Sequence, residues 1–294
     1  MLRPTSSLSL FLLALVVLPA ARLAAQPPGP PRASPQSTVS QVIGVSEISI
    51  SYSRPSVREG TIWGDLVPFG EVWQTGANEA STVTFSDDVK VEGRRLAAGT
   101  YGLFTIPGKD EWVVAFNRVV EQWGASNYDS TQDVLRVAVK PRVAPHQETF
   151  QISFPEVGID TALVSLHWGS LEIPFSVQID LKHVTAVRAR EFVDNAGPAD
   201  GRTVWSWANY FYQNGYNTGD AIEWAARLAE TTPMYWPHAL HARLLAQSGD
   251  ITSALNEASR ALARAQGENE QPGVEADSRR LSDERAAWEA TVRE

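Results

Sequence analysis

The sequence predicts an antiparallel β-sandwich-like domain followed by a small α-helical domain. Three observations carry that reading. Apolar and polar residues alternate in short runs through residues 38–181, the period of a strand with one face buried. Turn-forming clusters separate those runs. From residue 182 onward alanine becomes frequent and the apolar spacing lengthens to three and four, the period of a packed helix.

Residues 1–25 read as an export signal. Arg3 supplies the positive start, Leu8 to Val17 an apolar run, and Ala24-Ala25 the small residues before a cleavage point at Gln26. The run is shorter than the ~20 residues of a membrane span. An uncleaved N-terminal anchor is the alternative, and the absence of cysteine excludes a lipoprotein anchor. Residues 26–37 (QPPGPPRASPQS) have the composition of a solvated linker.

The strand-like runs follow in order. Ile48, Ile50 and Tyr52 alternate with serines, and Val83 and Phe85 with threonines. Trp112, Val114 and Phe116 continue the pattern, followed by Leu135, Val137 and Val139, then Phe150, Ile152 and Phe154. Val164, Leu166 and Trp168 precede a turn at Trp168-Gly169-Ser170, and the last run is Leu171, Ile173, Phe175, Val177 and Ile179. Pro174 donates no ladder hydrogen bond, so that last run is expected at a sheet edge or a bulge.

Residues 182–294 form the helical region. Ile222, Ala225, Ala226 and Ala229 share one face, as do Ala239, Ala242, Leu245 and Ala246, and again Ala254, Leu255, Ala258, Ala261 and Leu262. Gly219-Asp220 and Gly249-Asp250 each suit a turn and an N-cap. Ala221-Ile222…Ala225 returns as Ala254-Leu255…Ala258, close to the ~34-residue period of tetratricopeptide repeats, which this region resembles. Fewer copies are visible than the ~3 that stand alone. The helices are therefore expected to lean on the β-domain or another chain, with Trp205, Trp207 and Trp224 as candidate contacts.

Composition narrows function by exclusion. Lys+Arg 25 against Asp+Glu 34 gives a net charge of −9, which disfavours non-specific nucleic-acid binding. Without cysteine there are no disulfides, thiolate metal sites or cysteine nucleophiles. Neither a phosphate-cradling glycine loop nor Gly-x-Ser-x-Gly occurs. No cofactor, catalytic residue or metal ligand is assigned. His238 and His241 would share a helix face without an evident third ligand, so a structural role is expected for them.

The wording from Ile50 to Asp133 is distinctive: SYSRPSVREGTIWGDLVPFGEVWQTGANEASTVTFSDDVKVEGRRLAAGTYGLFTIPGKDEW, then FNRVVEQWGASNYDSTQDVLRV. It resembles the bacterial domain of unknown function family 2911, over roughly residues 38–181. The resemblance implies an exported protein, commonly with tetratricopeptide-like helices behind the domain. It implies no activity and carries over no catalytic residue.

Two loops gather the candidate binding residues. Trp63, Asp65, Trp73, Thr75, Asn78 and Glu79 lie in the first, and Gln122, Trp123 and Tyr128 in the second. Indoles offer flat apolar faces to a sugar ring, and the polar groups can orient it. The alternative is structural: the tryptophans plug the end of the sandwich and the polar side chains cap turns. Asp65, Glu71 and Glu79 supply carboxylates for a hydrolase only if two stand ~5–10 Å apart. The expectation is a periplasmic or secreted protein whose β-domain binds a small molecule or glycan. A scaffold acting on a protein partner through the helical repeats comes second, and a carboxylate-based hydrolase third. No transmembrane segment is expected after signal cleavage.

Overall fold

The computed structural model describes residues 30–268 and 273–293. The proposed signal, 1–25, and the first residues of the linker lie outside them. The strands are β1 (Gln36–Ile43), β2 (Ser46–Ser53), β3 (Ser81–Phe85), β4 (Val89–Val91), β5 (Arg94–Leu96), β6 (Gly99–Ile106), β7 (Trp112–Asn117), β8 (Asp133–Val139), β9 (Arg142–Val157) and β10 (Thr161–Ile179). All pairings are antiparallel. One sheet runs β1-β2-β3-β6-β7-β8 and the other β5-β4-β10-β9. The alternating apolar residues fall where a period of two places them. Ile48, Ile50, Val83, Phe85, Trp112, Val114, Phe116, Phe150, Ile152, Leu166 and Phe175 enter one core.

Two features of β10 bear on the sequence expectation. Trp168-Gly169-Ser170 does not end a strand. The inward residues change from even (Val164, Leu166, Trp168) to odd (Ile173, Phe175, Val177, Ile179), so the strand needs one irregular residue. Gly169 provides it at φ 59°, with register shifts against β9 on both sides. Of the edge or bulge expected for the run holding Pro174, β10 carries the bulge, at Gly169, and is not an edge strand, since it lies between β4 and β9. Pairing with β9 ends at Glu172 and pairing with β4 begins at Val177. Pro174 falls where the ladder changes partners, so its missing N–H is not needed.

The helices are α1 (Leu181–Asp194), α2 (Gly201–Asn214), α3 (Thr218–Thr231), α4 (Tyr235–Ser248), α5 (Ile251–Glu268) and α6 (Val274–Arg293). Asp180 accepts from the His183 amide and caps α1 directly after β10. Gly249 ends α4 at φ 92°, and Asp250 caps the next helix by accepting from Ser253 N at 3.0 Å. The earlier Gly-Asp pair differs. Helix α3 starts at Thr218 behind Asn217, so Asp220 sits inside the first turn and accepts from Arg190 and Asn217.

Alanines line the helix contacts and let the helices approach closely. Ala208, Ala221 and Ala225 surround Phe211 and Trp224 in one cluster, and Ala239, Ala242, Ala258, Ala261 and Ala265 form most of the next. Trp205 meets Trp236 and Trp207 stacks on Phe211, so Trp205, Trp207 and Trp224 serve the helical core and not the β-domain. The link to the β-domain comes from α1. Leu181 packs on the sandwich core, and Arg188 reaches Asp87 at 3.1 Å. Among the described residues, no helix is long and apolar enough to cross a membrane.

Candidate functional site

Structure divides the nine candidate residues among the interior, one cleft and, for Asp65, a second smaller cleft. The half-buried Trp63 indole meets Trp73, Trp112 and Trp168 at 5.7, 4.9 and 5.8 Å, all edge-on. Trp73 is buried, stacks near Trp168 and donates from Nε1 to Gly76 O at 2.9 Å. Thr75 is fully buried and bonds the Thr105 hydroxyl at 3.2 Å. These three side chains close one end of the sandwich, because large aromatic surface gains more from burial than from water. Asp65 is exposed beside a separate, smaller cleft of about 180 Å³. Tyr128 packs on Phe104 and donates to Asp133. Its burial and that carboxylate hold the phenol above its ordinary pKa.

Asn78, Glu79, Gln122 and Trp123 do converge. The interior anchoring of Trp73 and Thr75 turns the chain sharply. Thr75 and Asn78 take φ 57° and 62°, and Gly76 takes 155° with its Cα hydrogen side against Ser53 O. Asparagine tolerates that region better than most residues. The turn then pairs with the second loop: Ala80 N donates to Gln122 O at 3.0 Å, and Gly124 N to Asn78 O at 2.9 Å. This bridge sets Glu79 opposite Trp123.

The result is a cleft of about 430 Å³ bordered by β1, β2 and β3 on one side and residues 120–123 on the other. Trp123 is 63% exposed there, in contrast to the core tryptophans. Gln122 donates to Val119 O, and its Oε1 is buried without a partner among the described residues. Glu121 also lines the cleft.

Sequence reading did not include Arg32, which belongs to the Pro-rich segment. Its guanidinium donates to Glu79 Oε2 at 2.6 Å and stands 6.0 Å from the Trp123 ring centroid. The hydrogen bond from Arg32 holds the Glu79 carboxyl below its usual range. Asn78 Nδ2 donates to Ser34 O at 3.0 Å, and Arg54 N donates to Pro35 O at 2.9 Å. This part of the segment is therefore fastened to the β-domain. The one signal available in sequence was a single cation within an otherwise uncharged stretch.

A second polar cluster lies among the helices. His238 Nδ1 is 2.5 Å and His241 Nδ1 3.6 Å from the same oxygen of buried Glu257, with Arg260 at 3.3 Å from the other. Among the described residues, no group of three His, Asp or Glu is arranged to hold a metal ion. Asp65 and Glu79, two of the three carboxylates considered for a hydrolase, border different clefts.

No curated protein and no solved structure matches this chain. Residues 34–177 match the family model described as protein of unknown function (DUF2911). That span runs from the fastened Ser34 to Val177 in β10, and the β-domain it covers belongs to that family.

Proposed function

We propose that the β-domain is a binding module that takes a small ligand or glycan in the cleft beside Trp123, within a protein exported to the cell envelope. The observation that carries this reading is Trp123 itself. A mostly exposed indole on a loop braced by backbone bonds keeps its apolar face in water, beside a carboxylate and an amide. Such a face is costly to leave solvated, and a sugar ring or other flat ligand covers it while the polar groups fix its orientation. The lowered pKa of Glu79 suits a charged hydrogen-bond acceptor, not a proton donor. Export rests on the charged start, apolar run and small residues of positions 1–25.

A thermal-shift screen against saccharides and envelope glycan fragments tests the reading. A ligand of the native state at ~100-fold over Kd adds about 2.7 kcal/mol of stability. The shift is expected in the wild type and lost in Trp123→Ala, which leaves the core tryptophans in place. A shift that survives Trp123→Ala places binding elsewhere and refutes the proposal. Trp73→Ala is no substitute, because it removes an interior side chain.

A further inference from the structure

We infer that the Trp123 cleft selects a ligand bearing a cationic group, a guanidinium or an ammonium, and that Arg32 is its built-in occupant. This rests on the binding-module reading and names the ligand's chemistry.

Three observations point to it. The charged side chains lining the cleft, Glu79 and Glu121, are both acidic. The exposed ring beside them is tryptophan, whose face attracts a cation more strongly than that of phenylalanine or tyrosine. A cation already stands there: Arg32 bonds Glu79 at 2.6 Å and lies within reach of the Trp123 face. Carboxylate and indole thus hold a guanidinium in the arrangement a ligand's cation would need.

Arg32 is a displaceable occupant. It and Glu79 are each about half exposed, 48% and 47%. Exposed ion pairs and exposed cation–π contacts are individually weak. The neighbouring backbone is held independently through Ser34 and Pro35. A competing cation therefore has to displace one side chain, not peel away the segment. The same chemistry can be brought by an amino sugar or by an arginine side chain.

Calorimetric titration of the full chain distinguishes these, using two matched pairs of probes. One pair is Nα-acetyl-arginine amide and its neutral isostere Nα-acetyl-citrulline amide. The other is D-glucosamine and N-acetyl-D-glucosamine. In Arg32→Ala, at least one cationic probe is expected to bind roughly three- to ten-fold tighter than in the wild type, with its neutral counterpart unchanged. Adding Glu79→Gln should remove that gain, and raising the ionic strength should shrink it. The pair that responds identifies the source of the cation. Equal binding of the charged and neutral members, or no gain in Arg32→Ala, overturns the inference. A neutral probe that binds and is lost in Trp123→Ala leaves the binding module standing while the cation preference falls. Binding of neither pair to any variant overturns both.

Discussion

The Trp63 indole meets the Trp112 indole edge-on at 4.9 Å, and Trp73 and Trp168 complete a four-indole cluster around it. Trp63 comes from a loop and Trp112 from a strand, so the contact locks the loop into the sandwich end. Trp63→Ala is expected to lower the β-domain's stability by about 3 kcal/mol. Urea denaturation followed by fluorescence measures it. A loss below ~1 kcal/mol would mean the loop is held by other contacts.

Gly169 gives a test of the bulge in β10. A Cβ there would stand 2.7 Å from Ile62 Cδ1, at a φ of 59°. Gly169→Ala is expected to cost about 2 kcal/mol from overpacking and left-handed strain together. Gly93 has a positive φ of 75° but open space around it, so Gly93→Ala should cost only about 1 kcal/mol. Equal losses in parallel denaturation curves would remove the packing part of the argument.

Arg243 ties α6 to α4. Its guanidinium is buried and donates to both oxygens of Asp277, at 3.0 and 3.1 Å, and to Glu284 at 2.7 Å. Arg243→Ala leaves the two half-sheltered carboxylates with only the more exposed Arg280, 2.6 Å from Asp277 and 3.6 Å from Glu284, and is expected to destabilise the helical region by about 2 kcal/mol. Hydrogen exchange should show the loss first in α6. Unchanged protection there would contradict the pairing's role.

Glu257 sets a pH dependence. Burial raises its pKa, but the His241 and His238 imidazoles outweigh that and hold it at about 2, against 4.5 for the free side chain. A depressed folded-state value means stabilisation is complete above the unfolded value. It is lost as pH falls from about 4.5 toward 2. Glu230, Arg260 and Arg264 also face this cluster, so the comparison must isolate Glu257. The Tm difference between wild type and Glu257→Gln should shrink as pH falls across that acid window. A difference independent of pH would show that the carboxylate's charge is not what stabilises.

Much of the fold was legible because burial imposes its period directly on sequence. Ile48, Ile50, Val114 and Phe116 announce inward faces, and the alanines of α3 and α5 announce close helix contact. The continuous β10 was not legible, because Gly169 carries the same local signal whether it ends a strand or bulges it. Pro174 signalled an irregular strand but not which kind, because its tolerance depends on where two partner strands stop and start, which is set by tertiary pairing. At the site, Trp63, Trp73 and Trp123 look alike in sequence. Only the fold separates two interior indoles from one that faces water. Arg32 was hidden by its setting, since a Pro-rich composition reads as a free tether until Asn78 and Arg54 supply its anchors.

The most direct test of the binding account asks which indole senses ligand. Protein labelled with 5-fluorotryptophan gives one fluorine resonance for each of its 10 tryptophans, and Trp123→Phe identifies the one in the cleft. On titration with D-glucosamine and with N-acetylglucosamine oligomers, the Trp123 resonance should shift saturably while those of Trp63, Trp73 and Trp112 stay fixed. A saturable shift at the core indoles with Trp123 unmoved, or no shift at any tryptophan, would contradict the cleft as the binding site.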